Sequence, residues 1–197
     1  MIAALRCPGT LARLLVLVVA LGAMTASTAA QTTNEITQLS QQASDLQKAG
    51  RYADALEKAE RALALSEQQF GSDHATVAAR LNVVATLQGL LSRYGLAEEN
   101  LKRAIAIREK TPGPNSAELA QSIGELAIQY RNAGRYADAE PLLKRSLAIY
   151  EKGNNLRPIG IARGNLADNY RRQGRFSDAE FGTIGSWGLF PNGDGTL

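Results

Sequence analysis

Cysteine and histidine are almost missing from this chain of 197 residues, which holds one of each, Cys7 and His74. Disulfide frameworks, thiolate zinc sites, cysteine nucleophiles and histidine-rich metal sites are thereby excluded from everything beyond Cys7. A Ser-His-Asp triad survives only if His74 is its base. Aromatic residues are scarce at 6%, against 45% hydrophobic residues overall, so alanine and leucine must supply the core. Charge of one sign is lacking too. The 22 basic and 19 acidic side chains leave a net +3, and once Arg6 and Arg13 are set aside, 20 basic residues face 19 acidic ones. No basic footprint of the size nucleic acid requires remains. Phosphate-cradling G-x-x-x-x-G-K-[ST] loops, H-E-x-x-H helices and G-x-S-x-G elbows are absent as well. Composition points away from an enzyme, and no cofactor or metal is implied.

The longest apolar run is short. It extends from Leu14 to Met24, after Arg6 and Arg13, and the small residues Thr-Ala-Ser-Thr-Ala-Ala follow it. A basic start, an apolar stretch and small residues make a secretory signal peptide, expected to cover residues 1–30 with cleavage after Ala29 or Ala30. As a helix the run would span about 16 Å of a roughly 30 Å hydrocarbon layer, too little for a membrane span. Export is the expectation, with the periplasm as destination. Secretion, or anchoring by an uncleaved signal, is the alternative.

What the chain does have is internal repetition. Segments beginning at Ala49, Leu91 and Ala133 align at offsets of 42, and a fourth begins at Gln173. Their shared columns are Gly50, Ser92, Gly134 and Gly174; then Tyr52, Tyr94, Tyr136 and Phe176; then Ala55, Ala97, Ala139 and Ala179. Upstream of each turn a second set aligns, with Leu39, Leu81, Ile123 and Arg163 in one column and Ala43, Ala85, Ala127 and Ala167 in another. Apolar residues recur at three- and four-residue spacings, so each unit is a helix, a tight turn and a second helix. Glycine ends the first helix where a left-handed backbone is needed. The alanines mark the closest approach of two helices. Pro112, Pro114 and Pro158 fall between units, and Pro141 near the start of a second helix. The fold class is all-α.

The stretches "AGRYADALEKAERALAL", "NAGRYADAEPLLKRSLAIYEK" and "GNLADNYRRQGRFSDAE" resemble the tetratricopeptide repeat (TPR). The period of 42, with "GSDHATVAARLN", is most similar to the kinesin light chain type, whose inter-repeat loop carries a histidine before a helix. Ser92 departs from that pattern at the turn glycine, and Arg163 at an apolar column. The resemblance covers residues 36–180, after a short linker at 31–35. It implies a right-handed superhelical array of antiparallel helix pairs, with units near 36–76, 77–118, 119–158 and a partial one at 159–180. His74, with Ser72 and Asp73 before the helix, fits a loop or capping role better than catalysis.

TPR arrays work through a concave face that holds an extended peptide or a partner helix. Aligning the copies places Asn82, Thr86 and Leu90 on that face in unit two. Unit three contributes Gln121, Glu125, Ile128 and Asn132, and unit four Asn165, Asp168 and Arg172. Amides suit the task because each offers a donor and an acceptor to a peptide backbone without the desolvation cost of a charge. The resemblance singles out Asn82 and Asn165; capping and solvation are the plainer roles for such amides. The basic set by which some TPR domains hold a C-terminal carboxylate is not in place, since Thr37, Ala79, Gln121 and Ile161 stand at the corresponding positions. Arg157, Arg163, Arg171, Arg172 and Arg175 could dock an acidic segment, but a solvated helix face is the simpler reading.

Residues 181–197 break the pattern, with five glycines and no lysine or arginine. They are expected to be a disordered Gly-rich tail, or else to fold Phe181, Trp187, Leu189 and Phe190 back over Leu166 and Tyr170. The expected function is that of a non-catalytic scaffold for a protein or peptide partner, with no nucleic acid and no membrane span left after signal cleavage. One alternative is the recognition arm or truncated fragment of a longer protein with a caspase-like protease domain. Self-association through the unfinished fourth unit is another possibility.

Overall fold

The computed structural model describes residues 29–110, 116–153 and 156–180. The expected leader (save its last two residues) and the Gly-rich tail lie outside these residues, as do Pro112 and Pro114. Every regular element among the described residues is α-helical. The first, α1, covers 29–48. It is followed by α2 (Tyr52–Phe70), α3 (Ala75–Leu90), α4 (Tyr94–Lys110), α5 (Ala117–Asn132), α6 (Tyr136–Lys152), α7 (Leu156–Arg172) and the opening turns of α8 at 176–180. Residues 31–35 are therefore not a linker, because α1 runs straight through them. The Thr33 hydroxyl bonds the Ala29 carbonyl at 2.9 Å, and Gln69 of α2 reaches Thr33 at 2.7 Å.

The alanine columns explain the pairing. Ala55, Ala97 and Ala139 of the second helices are fully buried, as are Ala85, Ala127 and Ala167 of the first helices. A methyl is all that fits where two helix axes come closest. Larger residues one turn away, such as Leu81, Leu101, Ile123 and Leu143, fill the space on either side. Each helix packs on the next in sequence from α2 to α7, with lighter contacts between α3 and α5 and between α5 and α7. Helices α1, α3, α5 and α7 thus follow one another along one face and the remaining helices along the other.

Four identical turns join the helices within units. Gly50, Gly134 and Gly174 adopt φ of 74°, 78° and 74°, and each is followed by a backbone N–H that reaches back across the turn, as from Arg135 to the Tyr130 carbonyl at 2.8 Å. No atom lies within 4 Å of a Cβ built at any of these three glycines, so backbone conformation alone demands glycine there. Ser92 takes the same place with φ 59° and makes the same pair of turn bonds. It accepts a left-handed backbone that costs a side-chain-bearing residue about 1–2 kcal/mol.

Some helix-end expectations change. Pro141 lies in the second turn of α6, beyond the first turn where a missing N–H is harmless. The Ala137 carbonyl it leaves without a helical donor is on an exposed stretch that water can reach. Pro158 sits in the first turn of α7 and not between units. Leu166 and Tyr170, the face the tail was expected to cover, are already buried in a cluster with Leu143 and Ala179.

A second repeated device ties unit to unit. Glu98 accepts from Lys102 (2.6 Å), from the Tyr130 hydroxyl (2.8 Å) and from Arg135 (2.8 Å), whose guanidinium lies 4.0 Å from the Tyr130 ring centroid. One repeat later, Glu140 receives Lys144, Tyr170 and Arg175 in the same arrangement. The lysine hydrogen bond is the main reason each of these carboxyls is held below its usual range.

Candidate functional site

The face formed by α1, α3, α5 and α7 is not uniform, because each junction between units is built from the same columns with different side chains. One column runs Ser66, Arg108, Tyr150 and a second Arg80, Ser122, Ala162. A third runs Ser40, Asn82, Gly124.

At the junction of units two and three these positions knit together. Arg108, only 9% exposed, donates to the Ser122 hydroxyl and to the Glu118 carbonyl (2.8 Å). Ser122 in turn donates to Oδ1 of Asn82 at 2.9 Å. Burial lowers the Arg108 pKa, but the guanidinium keeps its charge with these oxygens around it. Asn82 is therefore a buried strut and not a groove side chain, and Thr86 spends its hydroxyl on the Asn82 carbonyl at 2.9 Å. Gly89 of α3 leaves room for the Gln129 side chain of α5, whose amide end lies where a Cβ would be.

At the junction of units three and four the same space is open. A pocket of about 300 Å³ lies between α5 and α7, floored by Leu143, Ser146 and Tyr150 of α6. Gln121, Glu125 and Ile128 line it from α5, with Ile161 and Asn165 from α7. Gly124 leaves room where Asn82 fills the equivalent position, and Ala162 leaves room where Ser122 does. Four groove positions expected from the repeat alignment, Gln121, Glu125, Ile128 and Asn165, thus meet in one cavity. Glu125 is half-buried and makes no hydrogen bond or ion pair among the described residues. Burial pushes its carboxyl above the ordinary range, with no cation to offset it.

The remaining expected positions do not join them. Asn132 is exposed at the end of α5, and Leu90 is exposed at the end of α3. Asp168 is engaged by Arg172 (3.0 Å), Arg131 (3.2 Å) and Arg171 (3.6 Å). Burial works against ionisation there, but those three cations prevail and hold the Asp168 carboxyl below its usual range. Arg172 is correspondingly committed to Asp168. The arginine cluster is also largely satisfied from within: Arg163 pairs with Glu151, and Arg175 with Glu140 and Asp178.

A smaller pocket of about 160 Å³ lies between α1 and α3, lined by Ser40, Ser44, Gln47, Arg80 and Val83 over Ala59 and Ala62. Arg80 is half-buried, its Nε is shielded without a hydrogen-bond acceptor, and burial lowers its pKa. Sequence reasoning missed it. The column carrying Arg80, Ser122 and Ala162 was legible in the alignment, but nothing there showed that Ser66 would leave the guanidinium unengaged.

His74 is engaged at a helix end. Its Nδ1 accepts the Thr76 backbone N–H at 3.2 Å as the N-cap of α3, and its ring stacks on Phe70 at 5.1 Å. Asp73 turns instead to Lys110 at 2.9 Å. Among the described residues no cluster of three or more His, Cys, Asp or Glu could hold a metal, and no helix is long and apolar enough to cross a membrane.

Repeated helix pairs, left-handed turns and alanine contacts are matched by a family model. The tetratricopeptide repeat model aligns with residues 35–110, 90–152 and 118–181. The chain belongs to the tetratricopeptide repeat family. Among solved structures, BtubC (BKLC) from P. vanneervenii superposes with a TM-score of 0.70 at 23% identity, covering 82% of this chain and 68% of that one. A putative kinesin light chain from Podosopora anserina, with nearly identical TPR-like repeats, gives 0.65 at 22%, covering 78% and 74%. A TPR-like protein from Chlorobium tepidum gives 0.55 at 18%, covering 71% and 97%. At these identities the likeness is one of fold, and the fold is that of kinesin-light-chain-like TPR solenoids. A search of curated proteins gave no significant match. TPR folds generally mediate protein–protein interaction, and that much of the expected function holds for this array.

Proposed function

We propose that the chain is a non-catalytic scaffold that holds an extended peptide or partner helix in the groove of its TPR array, with the α5–α7 pocket as the main point of engagement. The observation that carries this reading is the convergence of Gln121, Glu125, Ile128 and Asn165 on one open cavity, where the neighbouring junction closes the same space with its own side chains. Exposed Ile161 supplies an apolar rim, and the amides of Gln121 and Asn165 suit a peptide backbone. A scaffold role is also consistent with a His74 side chain already spent on a helix cap. The proposal includes export, on the strength of Arg6, Arg13 and the apolar run Leu14–Met24. N-terminal sequencing of the protein recovered outside the cytoplasm should then begin at Ala30 or Gln31.

The groove is tested by affinity capture from cells that naturally make the protein. The baits are the wild-type chain, a Gln121→Ala/Ile161→Asp chain altered at the pocket rim, and an Arg157→Glu chain altered at an exposed position elsewhere on α7. Capture of one partner by the first and third baits but not the second is expected. Equal capture by all three would move the contact surface out of the groove.

A further inference from the structure

The two pockets on the groove carry opposite, uncompensated charges. In the α5–α7 pocket Glu125 stands half-buried among Ile128, Leu143 and the Tyr150 ring, with no hydrogen bond or ion pair among the described residues. The cations that could have turned to it are committed elsewhere: Arg108 to Ser122 and the Glu118 carbonyl, Arg131 to Asp168, and Arg163 to Glu151. In the α1–α3 pocket Arg80 stands half-buried beside Ser44 and Gln47, also with no hydrogen bond or ion pair among the described residues. Two half-buried charges left unpaired cost stability that a structural ion pair would have recovered. A ligand that brings the opposite charges recovers it on binding.

We infer that the groove takes a segment of a partner protein in one direction only, with a lysine or arginine side chain in the α5–α7 pocket against Glu125 and an aspartate or glutamate side chain against Arg80 in the α1–α3 pocket. The inference rests on the groove reading above and adds the chemistry and polarity of the occupant. The shape of the larger pocket agrees with a long cationic side chain. Its aliphatic stem would lie along Ile128 and Leu143, and its head would reach the carboxylate, with Tyr150 also on the pocket wall. The chain's own residues 181–197 contain no lysine or arginine, so they cannot supply that group.

The test is selection from a random-peptide phage library on the full chain, run in parallel on wild type, Glu125→Gln and Arg80→Gln. Wild type should enrich peptides with a basic residue at one fixed position and an acidic residue at another. Glu125→Gln should lose only the basic preference, and Arg80→Gln only the acidic one. A synthetic consensus peptide whose lysine is replaced by norleucine should bind wild type roughly ten-fold more weakly, yet bind Glu125→Gln no more weakly than the parent peptide does. A consensus without a basic residue, or one whose basic preference persists in Glu125→Gln, overturns the inference and leaves the groove reading standing. Failure of wild type to enrich any peptide family removes the groove reading, and the inference with it. Light scattering that shows wild type doubling in mass with concentration while Glu125→Gln does not would put a second copy in the pocket and overturn the assignment to a partner segment.

Discussion

The junction of units two and three and the junction of units three and four use the same helices of the repeat and the same columns, yet one is sealed and the other open. Arg108, Ser122 and Asn82 form a continuous hydrogen-bonded strut in the first. Tyr150, Ala162 and Gly124 stand in their places in the second and surround a cavity of about 300 Å³. The alanine contacts and turns that define the solenoid are the same on both sides, so the backbone does not decide which junction is open. Three side chains per junction do. A repeat protein can therefore hold its architecture constant while varying its binding surface one column at a time.

The comparison breaks most sharply at Arg108. Arg108→Ala strips the donor from Ser122 and the Glu118 carbonyl and leaves a void, and is expected to cost about 2–3 kcal/mol by urea unfolding. It should also make the middle junction resemble the open one, with a new cavity visible in a crystal structure of the variant. A destabilisation below about 0.5 kcal/mol would mean the strut is ornamental. Next comes Ala139→Leu, a control on the architecture that both junctions share. Overpacking this fully buried contact should lower the urea midpoint by the equivalent of about 1–3 kcal/mol. An unchanged midpoint would contradict the helix register.

Ser92→Gly acts in the other direction. It gives the unit-two turn the residue that its three counterparts carry and should stabilise the chain by about 1 kcal/mol, read as a rise in thermal midpoint. The smallest effect belongs to Glu125→Gln and is recognised by its pH dependence. Burial raises the Glu125 pKa above its ordinary 4.5, so the ionised carboxylate weakens the folded state at neutral pH and the penalty fades as pH falls through the raised value. The glutamine variant should be more stable than wild type at pH 7 and indistinguishable from it below the ordinary value. A variant less stable at pH 7 would mean that Glu125 has a partner inside the fold.

Most of the architecture was legible from residue columns. Ala97, Ala139 and Ala127 recur at fixed offsets because interaxial distance tolerates only a methyl, and Gly50, Gly134 and Gly174 recur because the turn needs a left-handed backbone. Half of the groove was legible for the same reason: the offset that aligns cores also aligns the surface positions Gln121, Glu125 and Asn165. What column alignment could not show is how far a side chain reaches across to the next unit. Asn82 looked free because its own helix leaves it facing the groove, but Ser122, forty residues on, takes its carboxamide oxygen. Asp168 and Arg172 each read as a groove charge, but one helical turn apart on α7 they pair with each other, and Arg131 of α5 adds a further cation to Asp168. Arg80 escaped notice for the opposite reason, since a basic residue on a helix is usually paired or fully solvated and only packing reveals that this one is half-buried, its Nε shielded and without an acceptor. The helical state of residues 31–35 was hidden by their polar, threonine-rich sequence, and contact with Gln69 of α2 outweighs that weak propensity.

Thiol labelling measures the difference between the two junctions most directly, because Cys7 is the only native cysteine. In a Cys7→Ser background, Gly124→Cys and Asn82→Cys place one thiol at the same column of the open and the sealed junction. Maleimide should modify the Gly124→Cys chain at the rate of a free surface thiol and the Asn82→Cys chain roughly ten-fold or more slowly, since the latter must wait for local opening. Equal rates at the two positions would contradict the division of the groove into sealed and open junctions.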